Sequence, residues 1–125
     1  MLGVCEFSRL ESMERAALER RQVAWAVYTN TRRRFEEAYD SLLSAQDDFE
    51  YAKNRSKRGD GVEVMFKLAE KRRRSAREEF QYQKTEWRRA KAEFVSARNE
   101  YWYWRERSQK EVTVGNSGQN VDFVV

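Results

Sequence analysis

Between Ser8 and Arg58, and again between Val62 and Lys110, the chain holds neither glycine nor proline, and both stretches repeat small and large side chains every three or four residues. A helix presents one face when apolar residues recur with that spacing, because each residue turns about 100° around the axis. In the first stretch the series is Ala17, Arg21, Ala24, Tyr28, Thr31, Phe35, Ala38, Leu42, Ala45, Phe49 and Ala52. In the second it is Phe66, Ala69, Arg73, Ala76, Phe80, Gln83, Trp87, Ala90, Phe94, Ala97, Tyr101 and Trp104. Strict alternation of steps of three and four is the signature of a coiled-coil seam. Each stretch predicts a helix of roughly 70 Å, at 1.5 Å per residue.

The boundaries carry their own signals. Ser8 and Glu11 have capping-box spacing at the start of the first stretch, and Asp60 and Glu63 have it at the start of the second. Gly59 is suited to the left-handed conformation that ends many helices. Residues 1–7 are therefore expected as an N-terminal extension, residues 8–110 as a helical hairpin turning at 56–61, and residues 111–125 as an extended tail.

Folding the chain about Gly59 makes facing residue numbers add to 118 and predicts a register. Phe49 then faces Ala69, Leu42 faces Ala76, Ala38 faces Phe80, Tyr28 faces Ala90, Ala24 faces Phe94 and Ala17 faces Tyr101. A large residue opposite a small one at successive levels keeps the packed volume constant. Phe35 opposite Gln83 is the misfit. The charges flanking the seam select the same alignment independently. Asp48–Arg72, Arg34–Glu86, Arg20–Glu100, Lys53–Glu63 and Glu11–Arg105 all pair opposite signs, whereas Arg32–Lys84 does not. Such pairs select partner and orientation more than they stabilise. The expected fold is all-α, a long antiparallel two-helix coiled-coil hairpin with a seam of alternating small and large residues and an extended C-terminal tail.

Tyr101 and Trp104 belong to that seam, but Trp102 and Tyr103 between them do not. With Met13, Leu18, Val23, Trp25, Val27 and Val95 they place apolar surface around much of the hairpin's open end. A helix that is apolar beyond one stripe calls for a second neighbour. The tail ends in Val121, Asp122, Phe123, Val124 and Val125, while Val112 and Val114 read as strand-like and the intervening Gly-Asn-Ser-Gly as punctuation. The candidate protein interface is Leu18, Trp25, Val95, Trp102, Tyr103, Val121, Phe123, Val124 and Val125. The tail has two possible uses, covering its own hairpin or adding to a partner.

Other chemistries find little support. There is no histidine and only one cysteine, Cys5. Ser-His-Asp and Cys-His catalysis, multi-cysteine zinc sites and internal disulfides therefore lack their groups. No Gly-rich phosphate loop occurs, and the carboxylates along both stretches face Arg and Lys at heptad spacing. The expectation is a non-enzyme with no catalytic residues, no cofactor and no metal. No run of about 18 apolar residues suggests a membrane span, and the start lacks the pattern of a signal peptide. An intracellular location, or one inside an assembled particle, follows as the expectation.

Residues 53–74 hold nine Lys/Arg against three acids, while residues 35–52 hold six acids and no base. The register lays part of one stretch against the other and leaves Arg55, Lys57 and Arg58 as the candidate nucleic-acid contacts at a basic tip. The leading functional expectation is a structural or assembly protein. It is a rigid spacer that docks with itself or with a larger particle, viral or phage particles among the possibilities. A nucleic-acid-binding hairpin and a small regulator or inhibitor of a host protein are the alternatives.

Overall fold

A computed structural model describes residues 4–57 and 63–115. Those residues form two helices, α1 (Val4–Lys57) and α2 (Glu63–Gly115), packed against each other as an all-α hairpin, with no strand among the described residues.

The helices divide into two compact units: a terminal unit, Met1–Val27 with Lys91–Val125, and a central unit, Tyr28–Ala90. In the central unit Phe49 clusters with Ala52, Ala69 and Phe66. Phe35 lies 5.2 Å, ring centre to ring centre, from both Phe80 and Trp87. Partner numbers fall as the α1 number rises, so the helices are antiparallel here. The terminal unit shows the same sense independently, with Arg21 over Tyr101 and Trp25 against Phe94. The Phe49–Ala69 contact lies on a predicted level, the other seam pairs join adjacent levels, and Trp25 packs on Phe94 from beside the seam.

All the seam residues predicted from the sequence are buried or half-buried. The fully buried ones are mostly alanines: Ala38, Ala45, Ala52, Ala69 and Ala90 in the central unit, and Ala17, Ala24 and Ala97 in the terminal unit. No large side chain is completely buried among the described residues. The cause is geometric. Two helices enclose only the line between them, and a ring on that line still has one side toward solvent.

The large residues share one edge of the seam. In both helices a small residue follows a large one by three positions, as in Phe49 to Ala52 and Phe66 to Ala69. Antiparallel pairing of two such patterns puts the large residues of both helices along one edge and the small residues along the other. The edges are called here the ring edge and the alanine edge. Ring-to-ring contacts across the seam bear this out: Phe35 between Phe80 and Trp87, Phe49 at 5.4 Å from Phe66, and Tyr39 at 5.9 Å from Phe80. Ring pairs of this kind contribute about 0.5–1.5 kcal/mol each beyond their buried area.

The same arrangement resolves the misfit of Phe35 with Gln83. Phe35 finds its packing in Phe80 and Trp87 on the ring edge. The Gln83 amide donates to Glu79 Oε1 of its own helix at 2.8 Å. Arg73, a charged residue in the seam, holds its guanidinium 3.9 Å from the centre of the Phe49 ring. Its buried Nε has no hydrogen-bond partner. Attraction to the ring face offsets part of the cost of taking that charge out of water.

Both helices extend beyond their expected ends. α1 begins at Val4 rather than at Ser8, so Ser8 and Glu11 lie inside the helix and do not cap its start. Phe7 and Leu10 are half-buried and continue the seam backwards from Glu14, which gives the earlier turns a packing reason to form. α2 continues through Val112 and Val114 to Gly115, where a strand-like tail was expected from Glu111. Valine lowers helix propensity by only a few tenths of a kcal/mol, and an existing helix propagates until a breaker such as glycine. Ser108 is buried one step beyond Trp104 and prolongs the seam. The expected turn at 56–61, with Gly59 and Asp60, falls mostly outside the described residues, as does residues 116–125 of the expected tail.

The close approach along the alanine edge leads to a stability prediction. Ala38→Leu inserts three carbons at a buried level that Phe80 already fills, and is expected to cost about 1–3 kcal/mol. Ser41→Leu, at an exposed position one turn on, is expected to stay within about 0.5 kcal/mol of the parent. Urea denaturation followed by circular dichroism measures both.

Candidate docking surface

The terminal unit gathers most of the aromatic residues that the sequence placed at the open end. Residues four positions after a large seam residue lie about 40° from it and border the ring edge. In α1 these are Glu11, Leu18 and Trp25, with Leu18 following the seam residue Glu14; in α2 they are Lys91, Arg98 and Arg105. The ring edge of this unit therefore sets Leu18, Trp25 and the acid Glu11 from α1 beside a row of cations from α2, spaced one heptad apart.

A cavity of about 400 Å³ opens here, lined by Leu18, Arg21, Gln22, Trp25 and Phe94. Trp25 is 50% exposed and packs on Phe94 with ring centres 5.0 Å apart. Arg21, a seam residue, holds its guanidinium 5.2 Å from the Tyr101 ring centre and 5.9 Å from that of Trp102. Trp102 is 46% exposed, touches Tyr101 edge-on at 5.5 Å, and carries Arg105 at 5.1 Å on its ring. No acidic residue lines the cavity.

The alanine edge of the same unit has the opposite character. Arg20 reaches from α1 to two glutamates on α2. Its Nη2 and Nε donate to Glu93 Oε1 at 2.7 and 3.2 Å, and its Nη1 pairs with Glu100. The hydrogen bonding of Arg20 to Glu93 leads the influences that raise the Arg20 pKa above its ordinary value, with the charges of Glu93 and Glu100 adding to it. The charge row of Arg20–Glu100 is the predicted one, and Glu93 is an additional partner one heptad away. Elsewhere carboxylates turn to cations of their own helix: Arg32 to Glu36 at 3.2 Å, Arg74 to Glu70 at 2.7 Å and Arg89 to Glu86 at 3.0 Å. Glu86 thus has a local partner where Arg34 was expected, and Arg32 escapes its unfavourable neighbour Lys84 through Glu36. Local pairs form more readily because residues three or four apart already lie side by side on a helix.

The predicted interface residues separate into groups. Leu18 and Trp25 line the cavity, and Trp102 joins it through Arg21. Val95 is half-buried nearby in sequence but does not line the cavity. Tyr103, 50% exposed, stands apart with Trp104 at 5.0 Å and Arg107, whose Nη1 donates to the Tyr103 hydroxyl at 2.9 Å. Val121, Phe123, Val124 and Val125 lie outside the described residues. Arg21, Gln22 and Phe94 are cavity residues that the sequence reading did not single out. Arg21 and Phe94 had been assigned only to the seam, although large residues on both helices were the signal for an open ring edge.

The basic tip is changed as well. Arg55 is half-buried, its guanidinium 5.7 Å from the Tyr51 ring centre and its Nη1 donating to the Tyr51 hydroxyl at 3.3 Å. It is engaged with an aromatic residue, where the register had left it unmatched. Lys57 is exposed, and Arg58 lies outside the described residues. Among the described residues no group of three or more His, Cys, Asp or Glu side chains is placed to hold a metal ion, and no helix is long and apolar enough to cross a membrane. Comparison with protein-family models, with curated proteins and with solved structures gave no match.

Proposed function

We propose that this chain is a non-enzymatic structural or assembly protein, a helical spacer that docks through the ring edge of its terminal unit onto copies of itself or a larger assembly such as a viral or phage particle. The observation that carries the reading is the cavity of Leu18, Arg21, Gln22, Trp25 and Phe94, bordered by the exposed ring of Trp102. Tryptophan, tyrosine and arginine are the side chains that interfaces favour at their energetic centres. Burying most of one exposed ring contributes on the order of 1.5–3 kcal/mol.

Trp25→Ser with Trp102→Ser is expected to weaken self-association or docking by about tenfold or more, since each 1.4 kcal/mol is a factor of ten. Helicity is expected to remain near the parent value, because both rings stand outside the seam. Tyr101→Ser, a seam change, is expected to lower the melting temperature directly. Sedimentation velocity with circular dichroism separates the two effects. An unchanged association state and unchanged docking in the double variant would overturn the reading.

Nucleic-acid binding through Arg55, Lys57 and Arg58 is the weaker reading, because Arg55 is engaged by Tyr51 and Arg74 by Glu70. The expected outcome is no retention of single- or double-stranded oligonucleotides by the parent protein at low salt. Retention that falls steeply with salt, and is lost when the three residues become Gln, would reverse the preference.

A further inference from the structure

We propose that the occupant of the docking surface is a second copy of this chain, which lays the acidic stripe of α1 in its central unit, Glu36 to Glu50, along the cationic flank of α2 in the terminal unit. The inference rests on the reading of that surface as a docking site, and it names the partner and the residues that meet.

Two stripes of the same spacing carry the argument. In the terminal unit, Val95 and Trp102 follow Lys91 and Arg98 by four residues and lie one step further around α2 from its seam. Lys91, Val95, Arg98, Trp102 and Arg105 therefore form one stripe in which cations alternate with apolar side chains. In the central unit, Glu36, Asp40, Leu43, Asp47 and Glu50 form a stripe of α1 with the same alternating steps of four and three. Each stripe runs over fourteen residues, about 21 Å of helix. Set side by side in either direction, the end acids Glu36 and Glu50 fall level with the end cations Lys91 and Arg105. Asp40 and Asp47 fall on either side of Arg98, and Leu43 falls between Val95 and Trp102. Leu43 is 42% exposed and Trp102 46%, so both have apolar surface to bury.

The charges left unmatched within one chain point the same way. Among the described residues no side-chain hydrogen bond or ion pair engages Asp40, Asp47, Glu50 or Arg98. Arg105 lies over the Trp102 ring and forms no ion pair with Glu11 or Glu14, which border it from α1. Glu36 is shared with Arg32. From residue 35 to 52 α1 carries no cation. Of the α2 cations at these levels, Arg73 lies over Phe49, Arg74 pairs with Glu70, and Arg77 stands across the seam from Tyr39. Along the ring edge of the terminal unit, Glu11, Glu14 and Glu106 accompany Arg15, Arg21, Lys91, Arg98 and Arg105, so cations remain in excess. Like charges disfavour the pairing of two terminal units, whereas an acidic helix face is attracted. Every copy carries both stripes, so the contact joins the terminal unit of one chain to the central unit of the next, reciprocally in a closed pair or repeatedly in an open series.

The test is sedimentation velocity on the full chain, with circular dichroism to check that each variant stays helical. Arg98→Glu with Arg105→Glu, and separately Asp40→Lys with Asp47→Lys, are each expected to weaken self-association about tenfold or more, because attraction at two levels becomes repulsion. An equimolar mixture of the two variants is expected to associate nearly as the parent does, since each then supplies the stripe that the other has lost. Arg98→Gln with Arg105→Gln covers the case in which a reversed variant loses helicity, and is expected to weaken association about threefold or more. A parent that is monomeric at every concentration, a reversed or Gln variant that associates like the parent, or a helical mixture that stays monomeric would each overturn the proposal. Association that responds to Trp25→Ser with Trp102→Ser but not to Asp40→Lys with Asp47→Lys would remove this occupant and keep the docking surface. Association that ignores the tryptophan changes would remove the surface itself.

Discussion

At nearly every level of the register a large side chain of one helix faces a small one of the other, and Phe35 opposite Gln83 is the exception. Alanines on one edge let the helices approach closely. The rings are then carried by the other edge, where they interleave. In the central unit this produces the run of Phe35 with Phe80 and Trp87, and the cluster of Phe49 with Phe66, Ala52 and Ala69. The rings hold the helices together and also define the exposed edge, because the two helices bury Phe49 but leave Phe35, Phe80, Trp87 and Phe94 only half-buried.

Electrostatics follow the same division in the terminal unit. On the alanine edge the side chains flanking the seam come close enough for Arg20 to bridge to Glu93 and Glu100. These are exposed pairs, so their main effect is to select the register and the antiparallel sense. On the ring edge the arginines lie over aromatic faces instead: Arg21 over Tyr101 and Trp102, and Arg105 over Trp102. Each such contact contributes about 0.5–1 kcal/mol at an exposed site. The two edges of one seam thus hold their cations differently, on carboxylates along one and over aromatic faces along the other.

The seam was legible in the sequence because periodicity and size alternation are properties of single residues at fixed spacings. Ala17, Ala38, Phe49, Ala69 and Ala97 are buried where the pattern placed them. The helix ends were less legible. Ser8 with Glu11 has a cap's spacing, but Phe7 and Leu10 extend the seam past it, and packing outweighs a local signal worth about 1 kcal/mol. Val112 and Val114 resemble a strand only when read apart from the helix that runs into them. The candidate docking surface was half legible. Trp25, Leu18 and Trp102 stood out as apolar residues off the seam. Arg21, Gln22 and Phe94 did not, because a residue half in the seam and half in a cavity has no separate sequence signature. Tyr103 was grouped with Trp102 by adjacency, yet one step along a helix is a turn of about 100° and sends it to another face.

The paired pattern also limits how such a surface arises. Substituting alanines for the large seam residues would close the ring edge and remove the cavity, but it would also remove most of the apolar area that joins the helices. Adding a third helix would bury the rings. A two-helix hairpin with alternating residue sizes lies between these limits. Most of the seam rings are half-buried, so part of each packs between the helices and part remains at the surface. In the terminal unit that remaining half is supplemented by Leu18, Trp25 and Trp102, which the hairpin itself does not need. Side chains of that size placed beside an edge that is already apolar enlarge a contact area without altering the register. The surface beside the seam can therefore change while the seam stays constant.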